Sequence, residues 1–344
     1  MAKKSFQKSD NKSSGTDRVV AQFCDTMITT IEGLKQGWRK TWITTEANGE
    51  PQNLTGRKYN AFNQFFLYMV CEANQFKYPV FLTINQANEL GCHVKKGSKS
   101  APVLFWTVYA TDKNGNKVSI DELKQMSKSE QAEYDTHPVL KYYNVFNIEQ
   151  TDLADVQPEK LKKVKARFAA GEYRGTDGMY TNAAIDRMIE QQTWVCPIKV
   201  LQQDRAFYNS REDFVQLPTK EQYNLGGSEE DVYTGGMEFY INCVHECAHS
   251  TGSEKRLNRL KHAAFGSDDY AREELVAELT AALIGHSLGF NTKVMENNAA
   301  YLDSWLKVLK EEPKFLVSVL ADVNKAASMI EEHISAMEVT EEVA

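Results

Sequence analysis

The chain has 344 residues, 42% of them hydrophobic and 25% charged, with a formal net charge of −7. That is ordinary for a soluble globular protein of about two domains at roughly 150 residues each, and no apolar run approaches the roughly 18 residues that a membrane span needs, so partners are not sought in a membrane. Residues 1–110 hold 14 Lys and Arg against 8 Asp and Glu, a net of +6, leaving 26 against 39, or −13, for the rest; net acidity argues against nucleic acid for the body and for a polyanion partner of the basic first segment alone.

Residues 1–17 are rich in Lys, Ser, Asn and Asp with a single aromatic, and are read as a disordered tail. Basic residues there have no apolar block behind them, so no secretory signal is read and a cytoplasmic location is expected. Apolar positions Val20, Phe23, Met27, Ile31 and Leu34 recur at helical spacing until Gly37, and Trp38 and Trp42 follow in a polar stretch. Residues 61–74 form a strongly apolar helix, residues 80–84 a short strand, and Asn85 is read as the cap of a further short helix that ends at Gly91. A strand from Val103 to Ala110 enters a turn at Asn114-Gly115, and residues 145–148 return as another. Residues 18–152 are thus expected to form a mixed α+β domain.

Residues 153–180 mix charge, Gly and one Pro as a linker or connecting helix would. The second domain, 181–340, opens with a helix after Asn182, continues through short strands at 198–201, 206–208 and 214–217, and is then helical at 237–250, 269–288, 296–311 and 313–336. The fold class expected is α+β in two domains, the second mostly helical with a small sheet. The six cysteines form no CxxC pair and are read as reduced thiols, Cys243 and Cys247 as small buried hydrophobes.

The chemistry is concentrated in YINCVHECAHSTG, which carries His245, Glu246 and His249 as HExxH. Residues four apart on a helix share a face, so two imidazoles can meet one zinc ion while Glu246 reaches a water that the metal activates. Glu246 is then the general base, returning the proton to the leaving amine. The apolar stripe Met237, Tyr240, Ile241, Val244 and Ala248 supports the helix, with Gly235 and Gly236 ahead of it and Gly252 behind.

A catalytic zinc has three protein ligands. Lys255 stands where a metzincin would have its third His, which excludes that class. His262 and His286 remain candidates, but the helix DDYAREELVAELTAALIGHSLG offers the glutamate-zincin arrangement, with Glu274 as ligand and Glu278 one turn later hydrogen-bonding a ligand histidine. Glu278 or Glu273 could exchange roles with Glu274. Tyr270 could steady an oxyanion or simply pack.

Beyond the metal motif, NLTGRKYNAFN, FLTINQANELGCHVKKGSKSAPVLFW and YYNVFNIEQTD in the first half, then RAFYNSREDFVQLP, HECAHSTGSEKRLNR, YAREELVAEL and ENNAAYLDSWLKVL, make the sequence resemble the ArdC family of antirestriction proteins over nearly its whole length. The resemblance implies a single-stranded DNA-binding domain joined to a zinc metallopeptidase domain, protecting incoming plasmid or phage DNA, with restriction or other DNA-bound proteins as substrates. Two Pro-Trp pairs of the family are here Gly37-Trp38 and Thr41-Trp42, and its Ala-Tyr-Tyr is RAFY, leaving Tyr208 as the matching phenol. Cations for phosphate and flat rings for bases are supplied by Trp38, Trp42, Arg57, Lys58, Tyr59, Lys95, Lys96, Lys99 and Trp106. Two other functions fit the same residues: an SprT-like protease for DNA–protein crosslinks, and a DNA-shielding protein with a structural zinc, for which Glu246 would be superfluous.

Overall fold

The computed structural model describes residues 23–25, 28–29, 49–168, 174–260, 268–290, 310 and 313–338. The tail, Trp38, Trp42 and the helix expected at 296–311 lie outside these residues.

In chain order the first half contains β1 (Gln52–Asn53), α1 (Ala61–Asn74), β2 (Val80–Thr83), α2 (Ile84–Glu89), β3 (Ala101–Thr111), β4 (Lys117–Ser119), α3 (Ile120–Gln125), α4 (Lys128–Gln131), β5 (Asp135–Asn147), α5 (Leu153–Val156) and α6 (Pro158–Ala166). The strands form one sheet in the order β1-β2-β5-β3-β4, with only the β1–β2 pair parallel. Thr83, not Asn85, caps α2: its hydroxyl accepts from the Gln86 N–H while the Gln86 side chain returns to the Thr83 N–H, a capping box that starts the helix two residues earlier than expected. The returning strand is also much longer than residues 145–148. β5 pairs with β3 without interruption from Ala101↔Val145 to Thr111↔Asp135, and its outer half, which carries Pro138 and the exposed run Lys141–Asn144, lacks the apolar alternation that marks a strand.

Alternation splits the sheet between two cores. Val80 and Leu82 face one way, onto Ala87, Cys92 and Ile148, and Leu153 and Val164 close that layer. Residues 153–168, read from the sequence as part of a connector, therefore pack onto the first domain; their few apolar positions among lysines suffice to cover one sheet face. Phe81, Val103 and Val145 face the other way, onto α1. Asn63 fixes α1 to the sheet where β3 has no strand neighbour: its side-chain amide donates to the Leu104 carbonyl and accepts from the Leu104 N–H, both at 2.8 Å.

The second half contains α7 (Ala183–Glu190), β6 (Ile198–Val200), β7 (Phe207–Asn209), β8 (Phe214–Leu217), α8 (Glu229–Thr251), α9 (Asp268–Ser287) and α10 (Pro313–Glu338). The small sheet runs β6-β8-β7, with β7 at an edge. α9 lies between α8 and α10. A helix apolar all round requires cover all round, and α1 obtains it by sitting between the sheet and α10. Tyr68 of α1 stacks on His286 of α9 with ring centroids 4.0 Å apart, and Phe23 meets Phe66 edge-on. One apolar core thus runs through both halves. Among the described residues no helix is long and apolar enough to cross a membrane. All six thiols are free and buried.

A carboxyl pair also spans the halves. Glu50, ion-paired with Lys58, faces Glu331 of α10, whose pKa is pushed up to about 7 by burial and by the Glu50 charge. A carboxyl with a raised folded-state pKa stabilises fully below its unfolded value near 4.5, and that contribution is lost as pH rises through about 7. Glu331→Gln should therefore match the wild type in thermal unfolding at about pH 4 and melt higher above pH 7, by about 2–4 °C per kcal/mol relieved. Parallel Tm–pH curves for the two proteins would contradict this.

Candidate metal centre

The helix that carries the metal motif starts earlier than the sequence suggested. Ser228 caps α8 in a capping box with Asp231, and Glu229, Glu230 and Asp231 place negative charge at its positive end. Gly235 and Gly236, read as punctuation before the helix, lie inside it. A Cβ on Gly235 would stand 2.3 Å from the Tyr223 carbonyl oxygen, and one on Gly236 2.4 Å from the Tyr180 nitrogen. The pair is there because two backbones cross α8 at contact distance, and the helix absorbs about 1 kcal/mol for each glycine.

One turn apart on α8, His245 and His249 bring their Nε2 atoms to 3.1 Å from each other. α9 supplies the third donor: Glu274 places Oε2 3.8 Å from His245 Nε2 and Oε1 3.7 Å from His249 Nε2. Among the described residues this is the group of three donors that gathers within 4.8 Å. A tetrahedral ion with bonds of about 2.0–2.1 Å holds its donor atoms roughly 3.3 Å apart, so the spacing fits a divalent metal. Three facing lone-pair atoms also repel one another unless a cation lies between them. His262 lies outside the described residues, and His286 is committed to its stack on Tyr68.

The charges are arranged around this point. Burial alone would lower His249, but the carboxylates of Glu273 and Glu274 outweigh it and push His249 up, whereas burial and then His249 push His245 down. The neighbouring His249 ring holds Glu274 well below the usual carboxylate range, and a hydrogen bond from the Tyr270 hydroxyl adds to this. Tyr270 is thereby tied to the candidate ligand. Burial pushes Glu246 up, and the neighbouring Tyr208 backbone of β7 offsets part of that rise. Glu278 lies 3.9 Å from His245 Nδ1, beyond hydrogen-bond length, and is pushed up by burial and then by Glu274.

The carboxylate that does orient a histidine is Glu273, 3.4 Å from His249 Nδ1. It is gripped in turn by Arg259, whose Nε and NH2 groups donate to its two oxygens at 2.8 and 2.9 Å. Arg259 also donates to Thr251 Oγ1 and the Ala248 carbonyl, and Arg256 donates to the Ser250 carbonyl, so two arginines satisfy the open end of α8. Arg256 further pairs with Asp213, which accepts from the Tyr208 hydroxyl at 2.7 Å and is held far below the carboxylate range chiefly by that guanidinium. Arg256, Arg259 and Asp213 were not among the residues that the sequence assigned to the site. The available signal was two arginines three apart just past a helix end, where bare carbonyls need donors.

The residues expected to meet DNA are scattered over the first domain. Lys95 donates to the Glu149 carbonyl at 2.9 Å, Lys58 pairs with Glu50, and Arg57, Lys96 and Lys99 are exposed. Tyr59 is half-buried between Phe81 and Phe105. Trp106 lies on β3 opposite Leu140, with its side chain outside the described residues.

Two family models match separate stretches of the chain. Residues 17–146 match the model of the N-terminal domain of anti-restriction factor ArdC, and residues 183–322 match the zincin-like metallopeptidase model. Two Escherichia coli proteins named DNA primase TraC are 30% identical over 86% and 87% of this chain, which spans only 19% and 26% of their length. A protein of Sinorhizobium fredii named y4eC is 25% identical over 90% of this chain and 89% of its own. Crystal structures of antirestriction ArdC protein from plasmid R388 share the fold: the metal-free form has a TM-score of 0.62 at 22% identity, covering 94% of this chain and 99% of that one. The Mn(II)-bound form has a TM-score of 0.60 at 23% identity, covering 92% and 97%.

If Arg259 holds Glu273 against His249, Arg259→Met and Glu273→Gln should each weaken metal binding by about 10–100-fold. Titration with zinc against a competing chelator would show this, and the double variant should lose little more than either single one. Unchanged affinity in both would leave the pair a helix cap only.

Proposed function

We propose that this ArdC-like chain, an ArdC-type domain followed by a zincin-like metallopeptidase domain, is an antirestriction protein of a mobile element that binds single-stranded DNA with its first domain and hydrolyses peptide bonds with its second. The observation that carries the catalytic half is the convergence of His245, His249 and Glu274 beside Glu246 at a point open to solvent, with side-chain exposures of 18% for His245 and 30% for Glu274. A purely structural metal is enclosed and has no use for a neighbouring base. Two imidazoles and a carboxylate without thiolate suit zinc, about one per chain.

A divalent metal bound there supplies Lewis acidity, acidifying water and polarising a peptide carbonyl. The chain's own residues do the rest. Glu246, buried beside the three donors, takes a proton from the attacking water and passes it to the leaving amine, work of about 10²–10⁴-fold in rate. Glu273 and Arg259 keep the His249 ring turned to the metal, and the Tyr270 hydroxyl steadies Glu274.

DNA binding is supported by the ArdC-type first domain, by its exposed cations Arg57, Lys96 and Lys99, and by relatives named for antirestriction and for DNA priming. The proteins cleaved would be restriction enzymes or other proteins met on incoming DNA. A crosslink protease of the SprT kind would use the same site on a covalently attached target.

Purified protein incubated with zinc and single-stranded DNA against a panel of DNA-bound and DNA-crosslinked proteins should cleave one of them. Glu246→Gln should keep its metal and lose cleavage by at least about 100-fold, and His249→Ala should lose tight metal binding. Cleavage that survives Glu246→Gln would remove the proposed base. Protection of incoming DNA that survives the same change would assign the antirestriction effect to DNA shielding.

A further inference from the structure

The sheet face that α1 covers does not end where α1 ends. Val103, Phe81 and Val145 are buried on it, and the β3–β5 hairpin then carries the same face outward. Alternation along β3 and the register with β5 put Phe105, Tyr109, Lys141, Tyr143 and His137 all on this face. Their contacts agree: Phe105 meets Tyr143 edge-on at 5.6 Å and Tyr59 at 6.4 Å, Tyr109 lies 5.2 Å from His137, and Lys117 of β4 places its ammonium 4.8 Å over the Tyr109 ring. Tyr143 is 48% exposed. Lys141 stands directly opposite Phe105 and is exposed, as is Lys117.

Among the described residues, a face that is core at its base and carries partly exposed aromatics with exposed lysines beyond it is not simply finishing a core. It presents two clusters of rings four residues apart on β3, about 13 Å at roughly 3.3 Å per residue, each with an ammonium beside it. That is the combination that holds unpaired nucleotides: flat faces for bases and cations for the phosphates between them. A protein partner would call for larger aliphatic cover, and duplex DNA hides the base faces that the rings would stack on.

We propose that single-stranded DNA lies along this face of the β3–β5 hairpin, with bases stacked on Tyr143 and Tyr109 and phosphates on Lys141 and Lys117. The inference rests on the reading of the first domain as a single-strand binder and names its contact surface. Tyr142 supplies an internal control, since it is 39% exposed on the opposite face of the same strand, paired with Leu104.

The test is fluorescence anisotropy of a labelled 20-nucleotide oligo-dT, and of a labelled 20-base-pair duplex, with the full-length chain. Tyr143→Ala and Tyr109→Ala should each weaken oligo-dT binding by about five- to 100-fold, Tyr143→Phe should restore it, and Tyr142→Ala should leave it unchanged. Replacing Lys117 and Lys141 by Ala should lower the salt slope of log affinity by about 0.7 for each phosphate no longer neutralised. Tight binding by the wild type that none of these changes weakens would overturn the surface and leave the single-strand reading standing. Equal weakening by Tyr142→Ala and Tyr143→Ala would overturn the choice of face, and equal binding of the duplex would overturn stacking. A wild type that binds neither oligonucleotide would remove the single-strand reading itself, and this surface with it. Unchanged zinc content in each variant separates these outcomes from misfolding.

Discussion

The packing of α8 against α9 is the contact on which the centre depends. Neither helix alone can surround an ion: α8 offers two imidazoles on one face, and α9 offers carboxylates that on an isolated helix would be solvated charges. Pressed together, they bring Glu274 within 4 Å of both Nε2 atoms. The crossing is tight because α8 is held closely elsewhere, by the backbones of Tyr180 and Tyr223 against its two glycines and by Arg256 and Arg259 at its end. Arg259 ties the two helices directly, since it bonds the Ala248 carbonyl of α8 and the Glu273 carboxylate of α9 at once. The group that caps one helix therefore sets the orientation of the metal-facing side chain of that helix through the other.

The two halves meet through apolar surface and not through a hinge. α1 belongs by sequence to the first domain and is buried between the sheet and α10. The stack of Tyr68 on His286 and the Glu50–Glu331 pair lie on the same seam. α9 carries both Glu274 and His286, so the helix that completes the metal site is also one that the first domain touches. A displacement of the first domain's α1 would therefore be felt by the helix that carries Glu274.

The sheet of the first domain is buried on both faces near its base and exposed in part along β5. Where α1, α2, α5 and α6 lie against it, both faces are buried. Beyond them α3 still packs on β3 and β4 and Ala110 is buried, whereas the run Lys141–Asn144 is exposed on both sides of the strand. The edge of β5 left unpaired among the described residues invites pairing with other chains, and Pro138 and the exposed Lys141 on that strand blunt the tendency.

Much of the site could be read from the amino-acid order alone. HExxH places two imidazoles and a carboxylate within one turn because their geometry is local to one helix, and the Glu274–Glu278 spacing marked the helix whose carboxylate converges on them. Capping and close approach were misread where two local signals compete: Gly235-Gly236 resembles a helix boundary unless the crossing backbones are known, and Thr83 and Asn85 both offer a cap to α2. Only the tertiary structure decided which carboxylate orients which histidine. Glu273, Glu274 and Glu278 are chemically alike, and what separates them is the direction each takes across the gap to α8 and the presence of Arg259, which loop geometry brings back to that gap. The exposed face of the hairpin was likewise invisible, since an aromatic in a strand is core or surface according to where the covering helix stops. A chain dictates its turns and caps through neighbours a few residues away, whereas cover and convergence are set by residues tens or hundreds of positions distant.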